Sequence, residues 1–316
     1  MIEIKEYTPE LDHCWNDFVA SSKNGTFLLD RQYMNYHAAR FSDASLLFIN
    51  QKGKLCGVFP ANVQDCTIYS HGGLTYGGLI IDSVCHYSEV CEMLLCACNY
   101  YAKKKIKKIV YKTIPYIYHT LPSDEDLYWL YVNGAQLTCR SISSVIDMGN
   151  PLPFSELRQR KIRKASDAGL EIRFEDFSLV ENFWNILEEN LLLRHSTKPV
   201  HSLAEIRLLQ QRFPKEITLS VVIFENSIVA GCVVYKTTKV AHVQYISANE
   251  KGKEVGALDL LFHVLTQKYA EEGFKYFDFG ISTENGGKML NDGLLFQKEG
   301  FGGRAICYDT YEYKIP

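Results

Sequence analysis

Several features that mark special classes of protein are missing from this sequence. It has no apolar run long enough for a signal peptide or a membrane span, and residues 1–5 alternate like a strand. Its 34 Lys and Arg residues are balanced by 37 Asp and Glu residues, which leaves a formal net charge of −3. The charge of the whole chain therefore attracts neither nucleic acid nor membrane. We expect a cytoplasmic protein that does not insert into membranes and does not bind DNA.

Patterns that hold metals or disulfides are missing as well. The ten cysteines include no Cys-x-x-Cys pair, and several of them, such as Cys56 and Cys232, fall on apparent core positions. Cysteines used in this way are small apolar residues of a reducing compartment. We therefore expect no metal site.

The sequence does contain a repeat of itself. The repeated residues lie 168 to 174 positions apart: Ile4 and Ile172, Trp15 and Trp184, Tyr101 and Tyr269, Gly57 and Gly231. This period is the length of a domain rather than of a solenoid unit, so it predicts two copies of one fold in tandem. A chain of 316 residues that is 47% hydrophobic can bury two cores of ordinary size.

Each copy shows the same predicted order of strand, helix, hairpin, strand, helix and strand. In the first copy these elements are residues 2–7, 9–20, 45–62, 70–82, 88–104 and 107–113. In the second copy they are residues 170–174, 180–193, 217–236, 241–248, 256–272 and 276–280. No low-complexity linker separates the copies, and the two prolines of residues 149–153 favour an extended connection there. We expect domains at 1–149 and 150–316, each of mixed α/β class with a mostly antiparallel sheet flanked by helices.

Three segments carry a resemblance to a known family. They are a basic helix at residues 160–165, the strand residues 245–248 with the following loop 250–256, and residues 291–303, which are similar to a Phe-Lys-x-Gly-Phe-Gly signature. With the duplication, they resemble the tandem GNAT arrangement of the Fem-type (FemABX-like) aminoacyl and peptidyl transferases and of related acyltransferases. The resemblance covers essentially the whole chain. It departs from the signature at Gln297, which separates Phe296 from Lys298.

The resemblance implies transfer of an acyl or aminoacyl group to an amine of a cell-envelope or polysaccharide precursor, in a cleft between the two copies. The donor would be acyl-CoA or aminoacyl-tRNA, so no permanently bound cofactor is expected. The partners would be a small-molecule or nucleotide-linked precursor and, with the second donor, tRNA. Two alternatives stay open: a plain acetyl-CoA-dependent N-acetyltransferase, and a catalytically silent duplicate that binds a precursor or a partner protein.

The donor is left open because the pyrophosphate loop of single-domain GNAT enzymes, Arg/Gln-x-x-Gly-x-Gly/Ala, is not found after Tyr245. Only Gly252 and Gly256 remain there, and a loop before a helix can still offer backbone N–H groups to a phosphate. We take these two glycines as the candidate residues for cofactor binding.

Four residues are candidates for catalysis. Lys298 would hold a phosphate or stabilise an oxyanion, and the alternative is a solvated lysine on a terminal helix. Asp278, in an apolar strand, must be paired or functional, and it would orient the acceptor amine or anchor Arg304 or Lys298. His195 and His201 flank a loop between two helices and would remove a proton from the acceptor. In that loop Ser202 and Glu205 fit a structural capping box.

Six residues are candidates for substrate binding. His71 and Tyr76 lie in a glycine-rich segment that predicts either a structural bulge or an acceptor site. Arg163 belongs to the basic helix, which either faces solvent or contacts a diphosphate or a tRNA backbone. Tyr245, Ser247 and Arg304 complete the set because they lie in or next to the segments that carry the resemblance.

Overall fold

In the computed structural model the chain folds as two compact units. The structure describes residues 2–316, with the backbone only for Arg194 and His195. The amino-terminal unit comprises the residues up to Ile142 together with Thr283–Met289 and Cys307–Pro316, and the carboxyl-terminal unit comprises Ser143–Ser282 and Leu290–Ile306. Within the described part of the chain, no helix combines the length and the apolar character that crossing a bilayer would need.

The first copy of the repeat contains four helices and nine strands in the described chain. In order they are β1 (Glu3–Glu6), α1 (Asp12–Ser21), α2 (Arg31–Met34), β2 (Ser42–Asp43), β3 (Leu46–Ile49), β4 (Leu55–Phe59), β5 (Asn62–Gln64), β6 (Thr67–Tyr69), β7 (Ile80–Ile81), α3 (Tyr87–Lys103), β8 (Lys108–Lys112), α4 (Glu125–Val132) and β9 (Gln136–Asp147).

The second copy contains the remaining helices and strands of the described chain. In order they are α5 (Glu156–Asp167), β10 (Glu171–Arg173), α6 (Val180–His195), α7 (Leu203–Arg212), β11 (Ile217–Phe224), β12 (Ser227–Lys236), β13 (Val240–Ala248), α8 (Glu250–Val255), α9 (Ala257–Glu271), β14 (Tyr276–Ile281), β15 (Thr283–Glu284), β16 (Met289–Leu290), α10 (Asp292–Gly300) and β17 (Arg304–Lys314).

The two copies share one sequence of elements, which confirms the predicted duplication and the mixed α/β class. β1, α1, β3, β4, β7, α3, β8, α4 and β9 correspond in order to β10, α6, β11, β12, β13, α9, β14, α10 and β17. Strands β1, β3, β4 and β7 are antiparallel neighbours in that order, as are β10, β11, β12 and β13. In the second copy β14 then continues the sheet in parallel with β13.

The last strand of each copy explains why the units are not continuous in sequence. The end of β9 pairs with β14 from Asp147 opposite Tyr276 to Val145 opposite Asp278, so this part of β9 belongs to the carboxyl-terminal unit. The end of β17 pairs with β8 and belongs to the amino-terminal unit. The units therefore change within β9, after Ile142, rather than at the expected position 149/150.

Each unit has its own hydrophobic core on one side of a long helix. In α3 the buried positions repeat at helical spacing, as expected for one apolar stripe: Val90, Met93, Leu94, Ala97, Cys98 and Tyr101. In α9 the corresponding stripe packs against β12 and β14: Leu261, Phe262, Leu265 and Tyr269. Cys56 and Cys232 are buried in these cores, as the sequence predicted.

The strands of the two copies correspond, but corresponding residues do not always face the same side of the sheet. Gly57 and Gly231 both lie in the second strand of their hairpin. A Cβ on Gly57 would meet the sulfur of Met93 in α3, whereas a Cβ on Gly231 would meet the ring of Phe183 in α6. Because α3 and α6 are not corresponding helices, the two glycines face opposite sides of equivalent strands.

The glycine-rich segment of residues 70–79 is not the strand that the sequence suggested, since only Ile80–Ile81 is extended as β7. Its glycines allow the chain to approach itself. A Cβ on Gly77 would lie 2.0 Å from the carbonyl oxygen of Ser70, and one on Gly78, where φ is +91°, would lie 2.8 Å from the ring of Tyr111. The structural alternative therefore accounts for these glycines.

The expected loop at residues 250–256 is instead the short helix α8. The Asn249 side chain caps it by accepting the N–H of Gly252 at 2.8 Å. The helix ends at Gly256, whose φ of +76° is the left-handed conformation typical of a glycine C-cap.

The packing of α8 on β12 leaves no space for a side chain at Gly252. A Cβ at this position would lie 2.3 Å from the carbonyl oxygen of Val229, so we expect Gly252→Ala to lower the free energy of unfolding by about 1–3 kcal/mol. Gly293 in α10 has no atom within 3.4 Å of a Cβ position, and Gly293→Ala should raise it by about 0.5–1 kcal/mol. Denaturant unfolding of both variants would measure these changes, and equal effects would contradict the packing argument.

Candidate functional site

The carboxyl-terminal unit contains a cavity of about 430 Å³. It is bordered by α5, α6, the end of β13, α8, the first turn of α9 and α10. Its charged lining residues are Arg158, Lys161, Lys253 and Asp259. Two of the predicted site residues, Ser247 and Gly252, also border it.

The charge of the cavity favours an anion. Arg158 and Asp259 form a buried ion pair at 2.8 Å, so their charges offset each other. Lys253 forms an ion pair with Glu250 and also donates to Asn190. Lys161 is the lining cation that pairs with no carboxylate of the described residues. The first turn of α9 borders the same space through Leu258 and Asp259, and the first N–H groups of a helix attract negative charge. The arrangement suits a phosphate-bearing ligand.

The ion pair of Arg158 also corrects the sequence interpretation of the basic helix α5. Arg158 is buried rather than solvated, and its guanidinium lies 4.7 Å from the ring centre of Phe301. Gly300 permits this approach, since a Cβ there would come within 3.1 Å of Arg158 Nε. Arg163 is exposed on the same helix and does not border the cavity.

The two candidate glycines of the cofactor site have their amides engaged within the chain. Gly252 borders the cavity, but its N–H donates to Asn249. The Gly256 N–H donates to the carbonyl oxygen of Lys253 at 3.4 Å. In the first turn of α9 the Asp259 N–H is engaged as well, since it donates to the carbonyl oxygen of Gly256 at 3.1 Å.

Ser247 is tied to α6 at the edge of the cavity. Its hydroxyl accepts a hydrogen bond from Asn190 at 2.7 Å and donates to the carbonyl oxygen of Ile186 at 3.2 Å. The position of Ser247 in the lining agrees with a role in binding, which stays a prediction.

A bulge in β13 brings three polar side chains onto one face. The register with β12 shifts between Val233, which pairs with Tyr245, and Val234, which pairs with Val243. Because side chains alternate along a strand, the extra residue places His242, Tyr245 and Ser247 on the same side. Tyr245 packs on Trp184 of α6 on that side, with ring centres 5.1 Å apart.

The structure brings two predicted residues together at Tyr245. Its phenol oxygen lies 2.6 Å from Nδ1 of His201 and accepts the His201 backbone N–H at 3.2 Å. Burial raises the pKa of Tyr245 to about 12. The capping box predicted beside His201 is present, with Ser202 and Glu205 exchanging hydrogen bonds at the start of α7. Neither Tyr245 nor His201 borders the cavity.

Asp278 is fully buried in β14 and is bound by groups that the sequence did not suggest. Its Oδ1 accepts hydrogen bonds from the Ser143 hydroxyl at 2.5 Å and from the Gly280 N–H at 2.8 Å. Its Oδ2 lies 2.8 Å from Nδ1 of His242. Sequence reasoning missed His242, because only the pairing of β13 with β14 places it opposite Asp278.

Lys298 is buried, so the alternative of a solvated lysine is wrong, while its predicted role in catalysis stays a prediction. Its ammonium donates to the carbonyl oxygens of Gly280 at 2.8 Å and Ile281 at 2.7 Å. Burial lowers the pKa of Lys298 to about 8, and the charge of Asp278 acts in the opposite direction. Two of the three donors of the ammonium are thus used by backbone.

The remaining candidates of this unit are not part of the cavity. Arg304 is exposed and donates to the carbonyl oxygen of its neighbour Gly303 at 2.7 Å. The side chain of His195 lies outside what the structure describes. Among the described residues, no three His, Cys, Asp or Glu side chains are grouped as a metal centre would require.

The candidates of the amino-terminal unit are buried in separate surroundings. His71 packs against His37 and Phe41, with ring centres 5.3 and 5.1 Å away. Tyr76 lies 3.0 Å from the Thr26 hydroxyl through its own hydroxyl, and its ring contacts Tyr118. Burial lowers the pKa of His71 to about 3, with a smaller contribution from His37.

Comparison with known proteins identifies the domain that carries the cavity. Residues 156–286 match the family model of the acetyltransferase (GNAT) domain. No curated protein matches the sequence. Solved structures of similar fold include FemX (12% identity, 99% of this chain and 97% of that chain, TM-score 0.68). A tandem GNAT protein of the clavulanic acid biosynthesis pathway is similar as well (11% identity, 100% and 99%, TM-score 0.51).

A third similar structure is the carboxyl-terminal domain of a putative lysylphosphatidylglycerol synthetase from Agrobacterium fabrum (12% identity, 96% of this chain and 91% of that chain, TM-score 0.61). The likeness to these structures shows the GNAT fold, and the acetyltransferase domain matched at residues 156–286 supports an acyltransferase. The likeness to FemX extends over 99% of this chain and confirms, at the level of the fold, the Fem-type resemblance inferred from the sequence.

His71 predicts a pH dependence of stability. Its pKa is about 3 in the folded chain and near 6.5 when unfolded, so between these values only the unfolded state binds the proton. The stabilisation is present above pH 6.5 and is lost as the pH falls. From pH 6.5 to 5 the loss should be about 2 kcal/mol.

The variant His71→Asn tests this dependence, because asparagine tolerates the left-handed backbone of His71, where φ is +60°. Denaturant unfolding at pH 7 and pH 5 should show a smaller loss for His71→Asn than for the wild type. His13→Asn serves as control, since the His13 side chain is exposed. The same loss in all three proteins would contradict the burial of a neutral His71.

Lys298→Ala should destabilise the fold, because it leaves the carbonyl oxygens of Gly280 and Ile281 without their donor. We expect a loss of about 1–3 kcal/mol in the free energy of unfolding. Lys215, exposed in the same unit, provides the control Lys215→Ala, for which the loss should be within about 0.5 kcal/mol. Equal unfolding midpoints for the two variants would show that the buried ammonium contributes nothing.

Proposed function

We propose that this protein transfers an acyl or aminoacyl group from an activated donor to an amine of a cell-envelope or polysaccharide precursor. The cavity of the carboxyl-terminal unit binds the phosphate-bearing part of the donor. The observation that carries this proposal is the lining of the cavity, where Lys161, together with Lys253 in its ion pair with Glu250, lies next to the first turn of α9.

Acyl-CoA is the donor that we propose first. The GNAT domain match includes the lining residues from Arg158 to Asp259, and GNAT enzymes use acyl-CoA as a co-substrate. Aminoacyl-tRNA is the alternative donor, and it also carries phosphates. A tRNA would extend beyond the cavity, and the exposed cations Arg160 and Arg163 of α5 offer contacts for its backbone.

The proposed acceptor rests on the likeness to Fem-type transferases. A plain acetyl-CoA-dependent N-acetyltransferase is the second candidate, and the acetyltransferase domain match favours it. In either reaction catalysis consists of positioning the two reactants, removing a proton and stabilising the oxyanion. We propose that the oxyanion is stabilised by the third N–H of the Lys298 ammonium, which donates to neither of the two backbone carbonyl oxygens.

Thermal unfolding with CoA, acetyl-CoA or aminoacyl-tRNA tests the donor. A ligand at a hundred times its dissociation constant stabilises a protein by about 2.7 kcal/mol, and we expect this shift with CoA and acetyl-CoA. In Lys161→Ala the dissociation constant of CoA should rise about tenfold, because one charge-assisted hydrogen bond is lost.

Arg160→Ala is the matched control, since Arg160 lies on the same helix but does not border the cavity. Its affinity for CoA should be unchanged. A stabilising shift with aminoacyl-tRNA alone would favour the alternative donor. An equal loss of CoA affinity in Arg160→Ala and Lys161→Ala would show that the cavity is not the binding site.

A further inference from the structure

Asp278 is a buried carboxylate that fixes the orientation of a histidine. It accepts hydrogen bonds from the Ser143 hydroxyl and the Gly280 N–H, and its second oxygen lies 2.8 Å from Nδ1 of His242. Donors that surround a carboxylate favour its ionised form. An ionised carboxylate only accepts hydrogen bonds, so Nδ1 of His242 must carry the proton.

This hydrogen bond leaves the other ring nitrogen of His242 as a proton acceptor. In a neutral imidazole with a protonated Nδ1, Nε2 holds a free lone pair. The His242 side chain is 14% exposed, whereas that of Asp278 is fully buried. The carboxylate is therefore shielded from solvent while part of the imidazole remains accessible.

His242 stands where β13 and β14 separate. The two parallel strands pair over Val240–His242 and Tyr276–Asp278, and in the described part of the chain their pairing ends there. Further along β13, Ile246 borders the donor cavity. Four residues of a regular strand span about 13 Å, and the bulge of β13 between these two positions shortens that distance. A donor bound by its phosphates carries its acyl group at the far end of a flexible arm, so a separation between the cavity and the proton acceptor is compatible with transfer.

We propose that His242 is the proton acceptor of the transfer reaction and that Asp278 is its positioning residue; this inference rests on the proposed function. The ammonium form of the acceptor gives one proton to Nε2, and the freed nitrogen lone pair attacks the acyl carbon. As the C–N bond forms and the C–S bond of an acyl thioester breaks, the nitrogen loses a second proton to the thiolate. The first proton passes from the imidazolium to water, which restores the base.

Lys298 supports the pair of Asp278 and His242 indirectly, through the backbone of Gly280. It binds the carbonyl oxygens of Gly280 and Ile281, and the Gly280 N–H binds Asp278. The turn at Gly280 has a φ of +77°, and a Cβ there would lie 3.4 Å from Cε1 of His242. The glycine thus keeps one edge of the imidazole free of a side chain.

A second histidine–aspartate pair in the chain shows what distinguishes this one. His13 and Asp17 are 2.7 Å apart on the surface of α1, with exposed fractions of 90% and 69%. Solvent competes for both groups there, and the spacing of four residues is an ordinary helical one. The distance alone therefore defines no site, whereas burial and the two additional donors on Asp278 do.

Two measurements test the role of His242. Nitrogen-15 NMR of histidine-labelled protein, assigned with His242→Gln, should show a protonated Nδ1 and a bare Nε2, and Asp278→Asn should abolish this preference. Acetyl transfer from acetyl-CoA to lysine, glucosamine and spermidine should fall at least about a hundredfold in kcat/KM in His242→Gln. The melting temperature and the affinity for CoA should be retained, and His13→Gln should behave as the wild type.

If His242 had only a structural role, the loss of kcat/KM in His242→Gln would not depend on the pH relative to the pKa of the acceptor amine. In His242→Gln the free amine must come from solution, so the deficit should shrink as the pH approaches the pKa of the acceptor amine. A protonated Nε2, or an unchanged kcat/KM in His242→Gln, would overturn the assignment. The absence of any CoA-induced stabilisation in the wild type would instead count against the proposed donor, and the NMR measurement would still decide the state of His242.

Discussion

The arrangement of polar side chains in the carboxyl-terminal unit depends on the point where the parallel strands β13 and β14 stop pairing. Among the described residues, the pairing of β14 with β13 ends at His242 and Asp278, and buried N–H and C=O groups need hydrogen bonds. Lys298 supplies donors to the carbonyl oxygens of Gly280 and Ile281, and Asp278 accepts the N–H of Gly280. The two charged side chains thus stabilise an interrupted sheet, and the same interruption brings His242 and Asp278 together.

The donor cavity depends on a second buried interaction, the ion pair of Arg158 with Asp259. It joins α5 to the first turn of α9 and removes one positive and one negative charge from the lining. A buried pair of this kind is costly to break, because either partner alone would be an uncompensated charge. The other charged residues of the lining are Lys161 and Lys253, and Lys253 pairs with Glu250. The segment after β13 is the short helix α8 rather than a glycine loop.

The first copy retains the element order but uses the corresponding region differently. Its short strand β7 pairs with β4, and β8 pairs in parallel with β6. The Tyr111 side chain fills the space beside Gly78 and accepts the N–H of Leu79 at 2.7 Å. The glycine run therefore allows close packing within the first copy. The duplication has kept a fold, whereas the cavity described here belongs to one unit.

Local chemistry in the sequence determined the duplication, most elements and the capping box of Ser202 and Glu205, since periodicity, turns and caps act between near neighbours. It also identified Asp278, because an acid in an apolar strand needs partners. Only the tertiary structure decided which partners. His242 reaches the face of Tyr245 and Ser247 through a bulge, Lys298 is buried because β14 leaves its neighbour, and Gly252 is required by the carbonyl of Val229. These outcomes depend on register and on contacts between distant residues, and spacing along the chain does not encode them.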